Sequence, residues 1–111
     1  MKLAKIILPL LDNEGRSLFE LHQQLKYELV NRFGGFTQYS GAGQYKSKHG
    51  KIMTDESMIY EVAMERAAVV GFRDLALQMC VAAHQESVMI VTPIGDVEFV
   101  HPRVDARVAT A

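Results

Sequence analysis

Three strand-like stretches of this 111-residue chain place large apolar side chains at consecutive positions: Ile6-Ile7, Met58-Ile59 and Val88-Met89. Successive residues of a strand point to opposite faces of its sheet, so each pair offers an apolar group to both sides. A sheet with one face in water would instead alternate apolar with polar residues. This sheet therefore has to be covered on both faces. The simplest cover beyond its own helices is another copy of the chain, in a closed homo-oligomer that also protects the sheet edges. A dimer or trimer is expected.

The order of elements follows from periodicity and turn chemistry. Residues 3–11 read as the first strand, with Pro9 marking its end or an edge position because proline cannot donate a ladder hydrogen bond. Asp12-Asn13-Glu14-Gly15 is a turn, and Ser17-Leu18-Phe19-Glu20 has the capping-box spacing, which predicts a helix from Leu18. Leu18, Leu21, Leu25, Leu29 and Phe33 step onto one helical face, and Gly34-Gly35 supplies a left-handed stop. Residues 36–48, with Gly41 and Gly43, predict an irregular or bulged strand. It reverses at Lys48-His49-Gly50-Lys51 and pairs with residues 52–64 as a hairpin.

A second helix is expected over about residues 66–85, on the series Phe72, Leu75, Ala76, Met79 and Ala83, with Gly71 a local cost and Glu86 closing it. Residues 88–91 and 97–100 are short strands around the turn Pro93-Ile94-Gly95-Asp96. Strand-helix-strand-strand-helix-strand is the ferredoxin-like α+β order. The expected fold is a βαββαβ sandwich with an antiparallel sheet, both helices on one face and an extra C-terminal strand. Residues 1–100 are expected to form one domain and residues 101–111 a loosely attached tail.

Composition narrows the classes of function. A chain of this length buries one core without metals or disulfides, and its 49% hydrophobic and 23% charged content is ordinary for a folded domain. Twelve basic against thirteen acidic residues leave a formal charge of -1, which gives no general attraction to nucleic acid or anionic membranes. Cys80 is the single cysteine, which excludes an internal disulfide and fits a cytoplasmic, reducing setting. The apolar run at residues 6–11 is short and meets Asp12 without a cleavage pattern, so it reads as a strand rather than a signal peptide. No stretch approaches the length of a membrane span.

Few residues invite chemistry. The histidines at 22, 49, 84 and 101 lack metal-ligand spacing, so no metal is expected; His22 and His84 read as solvated helix residues and His49 as a turn residue. Cys80, among Met79, Val81 and Ala82, reads as a buried thiol without a base, and Ser17 is accounted for by capping. Gly41-Ala42-Gly43 fails both dinucleotide and P-loop fingerprints, since Lys46 stands where a glycine is required and no helix follows. Lys46, Lys48 and Lys51 are a local basic group beside aromatics, the basis of a nucleic-acid reading that the overall charge does not favour. Tyr45 and Asp55-Glu56 flank the hairpin. Their ordinary reading is a surface tyrosine beside solvated acids; the functional one is an aromatic ring and a carboxylate that hold a cationic ligand.

The chain resembles the bacteriophage S-adenosylmethionine lyases, formerly described as hydrolases of that compound. The resemblance runs from the first strand to about Val100. It is carried by a helix ending at Phe33-Gly34-Gly35-Phe36, a glycine-containing strand ending in Tyr45, and Glu56 eleven residues later. The junction His84-Gln85-Glu86 before Val88-Met89-Ile90-Val91 is also similar, whereas the residues around Ala67 to Val70 and the tail depart from the pattern. The resemblance implies a homotrimer, favoured over a dimer, of ferredoxin-like subunits with sites between chains. It implies cleavage of S-adenosylmethionine to methylthioadenosine and homoserine lactone, with that molecule as substrate and no cofactor. It points to Tyr45 and Glu56 as the catalytic and substrate-holding pair, with Gln85 a secondary contact and Phe36 or Tyr60 a stacking partner for adenine, although core packing is the ordinary reading of both aromatics. The alternative is a non-catalytic ferredoxin-like oligomeric module, phage-encoded, that binds or regulates at the same clefts.

Overall fold

The consecutive apolar pairs sort onto opposite faces of one antiparallel sheet. In the computed structural model, which describes residues 1–102, the elements are β1 (Lys2–Pro9), α1 (Phe19–Phe33), β2 (Thr37–Lys46), β3 (Ile52–Met64), α2 (Val69–Ala82), β4 (Val88–Val91) and β5 (Val97–Val100). The strand order is β2-β3-β1-β4-β5, and each neighbouring pair is antiparallel. This is the ferredoxin-like α+β arrangement, with β5 added at the edge beside β4 as the element order predicts. Residues 103–111 of the expected tail lie outside the described residues.

Both helices cover one face. Ala4, Ile6 and Leu8 of β1, Tyr60, Val62 and Met64 of β3, and Val88 and Ile90 of β4 meet Leu25 and Leu29 of α1 and Phe72, Leu75, Ala76, Met79 and Cys80 of α2. Removal of this apolar surface from water, at roughly 25 cal/mol per Å², holds the layers together. The other member of each apolar pair points the opposite way. The ladder sets Ile7 against both Ile59 and Met89, and Phe99 opposite Met89. That face carries Phe99 at 61% exposure and Val97 at 58%. Two of its charged members are matched: Lys5 Nζ lies 3.4 Å from Glu61 Oε2, to which the Tyr39 hydroxyl donates at 2.9 Å.

Several local expectations are corrected. The first strand ends at Pro9 rather than Leu11, which keeps only an isolated bridge to Ser17. That bridge holds Ser17 outside the helix, so the capping box does not form. Leu18 is the N-cap, and the Ser17 hydroxyl accepts from the Phe19 N–H at 3.1 Å. The second strand is regular and not bulged, paired one-to-one from Thr37–Glu61 to Lys46–Ile52. Gly41 serves close packing instead: a Cβ there would stand 2.8 Å from Ile59 Cδ1.

The second helix begins with a 3-10 turn, Arg66–Ala68, and ends at Ala82 rather than Gln85. His84 takes the left-handed conformation, with φ of 55°, and closes the helix in a Schellman pattern. Its N–H donates to the Val81 carbonyl, and the Gln85 N–H donates to the Cys80 carbonyl, each at 3.1 Å. The left-handed stop at Gly34, φ 92°, is as predicted.

His22 is the largest departure. It is buried, not solvated, because it lies on the stripe Leu18-His22-Leu25-Leu29 and meets polar partners beneath.

Candidate functional site

The lengths of three strands create a cleft. β1 leaves β3 at Pro9–Ser57, whereas β2 and β3 stay paired as far as Lys46–Ile52. The hairpin therefore projects past the body of the sheet as a two-stranded arm. Between this arm, the β1–α1 turn and the α2–β4 turn opens a cleft of about 740 Å³. A recess of about 570 Å³ adjoins it, and Pro9, Asn13, Tyr45, Asp55 and Gln85 line both. Each volume lies within the roughly 300–1,000 Å³ of small-molecule sites.

Tyr45, Glu56 and Gln85 all line the recess, so three of the four sequence candidates come together. They do so from different sides. Tyr45 pairs with Met53 and Glu56 with Ala42, so the pleat turns their side chains to opposite faces of the arm. Both reach the recess because the β1 ladder ends at Pro9–Ser57; past it the Leu10 N–H still holds the Glu56 carbonyl, and the rest of the arm stands free of β1. Asp55, opposite Gly43, is the acid on the same face as Tyr45. Phe36 stands elsewhere. It packs edge-on to Tyr60, with centroids 5.6 Å apart, and borders a hollow with Met1 and Leu3 at the far end of β1.

The two turns are held locally. Asp12 accepts from the Arg16 N–H at 2.8 Å, the Glu14 N–H at 2.9 Å and the Arg16 guanidinium at 2.8 Å. The Arg16 N–H, the Glu14 N–H and the guanidinium keep its carboxyl below the usual range, and its charge is engaged within the turn. Asn13 reaches across to donate to the His84 carbonyl at 3.4 Å, and the Cys80 thiol donates to the Gln85 carbonyl at 3.2 Å. The Schellman turn thus sets Gln85 on the cleft wall, where its side-chain amide donates to the Ala83 carbonyl at 3.4 Å. Burial pushes the Cys80 thiol pKa up, in keeping with a structural rather than a nucleophilic group.

The electrostatics of the cleft are one-sided. Among the described residues, the carboxylates Asp55, Glu56 and Glu86 form no salt bridge, and no lysine, arginine or histidine lines either part. Glu86 and Asn13 were not singled out as site residues by the sequence, and Asp55 was grouped with Glu56 at the hairpin without a site role of its own. A signal for Asp55 existed in the hairpin register, since residues of equal parity share a face once the turn is fixed at residues 47–51. Asn13 and Glu86 are brought in by chain reversals and have no sequence signature. No group of three His, Cys, Asp or Glu side chains suited to a metal occurs among the described residues. No helix among them is long and apolar enough to cross a membrane.

Fold and cleft define a class: a ferredoxin-like α+β protein with an acidic recess of small-molecule size at the mouth of its sheet. No protein-family model and no curated protein matches the chain. Among solved structures it is similar to a phage SAM lyase in complex with S-methyl-5'-thioadenosine, with a TM-score of 0.69 and 16% identity over 91% of this chain and 89% of that one. It is similar also to a phage SAM lyase in the apo state, with a TM-score of 0.66 and 18% identity over 90% and 88%. At such identity the likeness is one of fold.

Proposed function

We propose that the chain is an S-adenosylmethionine lyase, which releases methylthioadenosine and homoserine lactone by attack of the substrate's own carboxylate. The charge of the cleft carries this reading. Asp55, Glu56 and Glu86 stand beside an exposed tyrosine, with no basic side chain among the described residues of the walls. Such a surface attracts cations and repels phosphates, and an aromatic face adds to the attraction. S-adenosylmethionine brings two cationic centres, its sulfonium and its ammonium. The likeness of fold to a phage SAM lyase that holds S-methyl-5'-thioadenosine supports the same choice.

The chemistry balances within the substrate. A carboxylate oxygen attacks the carbon next to sulfur, the carbon–sulfur bond breaks, and its electron pair returns to sulfur as a neutral thioether. A five-membered lactone closes with no proton transferred and no protein nucleophile, metal or cofactor required. The protein has to fold the tail into attack geometry, where orientation is worth about 7–11 kcal/mol in favourable cases. It also has to exclude water. Tyr45 and Glu56 hold the amino-acid or ribose portion, Asp55 adds a second carboxylate on the Tyr45 face, and Gln85 makes a secondary contact.

The proposal includes a homotrimer, preferred to a dimer, whose copies cover the open sheet face and border the cleft. The exposed Phe99 and Val97 beside Ile7 and Met89 support burial of that face. Phe36 would reach the ligand only from a neighbouring copy. Incubation of purified protein with S-adenosylmethionine, without added metal, tests the reading by chromatography for methylthioadenosine. Binding without turnover would mark the non-catalytic module instead.

A further inference from the structure

We propose that His22, which lies outside the cleft on the helix-covered side of the sheet, is a positioning residue for Glu56 and the wall beside it. His22 is 6% exposed and both ring nitrogens are engaged. Nε2 is 2.8 Å from the Pro9 carbonyl oxygen, and Nδ1 is 2.6 Å from the Tyr60 hydroxyl. A carbonyl only accepts, so the partners assign the proton to Nε2, and bare Nδ1 accepts from Tyr60. Tyr60 is fully buried, and burial pushes its hydroxyl pKa up to about 12, so it keeps the proton it donates. Burial, with a lesser push from Lys26, lowers the His22 pKa, which favours the neutral ring this arrangement needs; the bond to Pro9 acts in the other direction.

Pro9 is where this matters. It is the last residue of β1 and lines both parts of the cleft. Proline has no N–H, so its carbonyl is its one backbone hydrogen-bonding group, and that group is the one His22 holds. The next residue, Leu10, donates its N–H to the Glu56 carbonyl at 3.0 Å and accepts from the Leu18 N–H at 3.0 Å. One ring in α1 therefore links the floor of β3, through Tyr60, to the point at which β1 departs from the sheet. One residue further on, the chain grips the backbone of Glu56. The catalytic consequence rests on the lyase reading; the mechanical one does not.

Amide hydrogen exchange and steady-state kinetics on full-length His22→Phe and His22→Gln test the inference. Phenylalanine keeps ring bulk and removes both bonds, while glutamine brings an amide N–H near the Nε2 position. The Leu10 amide of folded His22→Phe is expected to exchange about tenfold faster, the weight of one net hydrogen bond, while Met79 in α2 keeps its wild-type rate. Its kcat/KM is expected to fall by up to about a hundredfold, chiefly in kcat, as displacement of a site by an ångström can do. His22→Gln should restore most of both. Wild-type exchange at Leu10 together with wild-type kinetics in folded His22→Phe overturns the inference. If His22→Phe does not fold, Tyr60→Phe, which frees the ring to turn, should show a smaller version of the Leu10 signature, and its absence overturns the inference equally. A wild-type chain that forms no methylthioadenosine removes the lyase reading, and the exchange comparison still decides the role of His22.

Discussion

Tyr45 and Asp55 stand on one face of the β2–β3 arm, each paired across the ladder with a residue of the same parity, while Glu56 points to the other face beside Ala42. The cleft thus has two carboxylates on consecutive residues that approach a ligand from different directions. Glu56→Gln and Asp55→Asn should each lower kcat/KM for S-adenosylmethionine by about tenfold to a hundredfold, the weight of one hydrogen bond to a charged group. Affinity for the neutral product methylthioadenosine should change much less. Steady-state kinetics and calorimetric product binding on folded variants check both.

Tyr60→Phe should destabilise the fold by about 1–3 kcal/mol, because it leaves Nδ1 of a buried histidine without a partner. The midpoint of urea unfolding measures this, with an unchanged slope showing that the loss is in native stability.

The same histidine makes stability depend on pH. Its folded pKa is lowered from the ordinary 6.5, so the unfolded chain binds the proton more tightly. Its contribution is therefore complete above pH 6.5 and declines as pH falls through the interval between 6.5 and the lower folded value. Asp12 and Glu98, also lowered, act only below their ordinary 3.8 and 4.5. Urea midpoints from pH 7.5 to 5 should fall in the wild type and stay flatter in His22→Gln.

On the open sheet face, Phe99→Glu should lower the solution mass toward that of one chain. Phe99 is 61% exposed beside Met89, and a charge there would be costly to cover with a second copy. Light scattering at micromolar concentration reads the mass, and a wild-type chain that is already monomeric would remove the trimer from the account.

Element order and the doubly apolar sheet were legible because each depends on local period. The alternation Met58-Ile59-Tyr60-Glu61-Val62 declares both faces of β3 without any knowledge of its neighbours. His22 was misread because the stripe through Leu18, Leu21 and Leu25 accounts for α1 without it. A buried hydroxyl thirty-eight residues away and the Pro9 carbonyl together make its burial tolerable. The end of α2 was placed late because a histidine, not a glycine, takes the left-handed position. Tyr45 and Glu56 stood out as an aromatic and an acid flanking the hairpin, whereas their site roles and Gln85 entered through resemblance; their convergence on one recess depends on β1 stopping short of β3, a matter of strand length that Pro9 only hints at.

The central claim is that the carbon–sulfur bond is broken by the substrate's own carboxylate. Its most direct test is mass spectrometry of the products from purified protein and S-adenosylmethionine in water enriched in oxygen-18. The account predicts methylthioadenosine together with homoserine lactone that carries no label from solvent at the carbon that bore sulfur. Absence of methylthioadenosine from folded protein, or homoserine labelled in its side-chain hydroxyl, would contradict it.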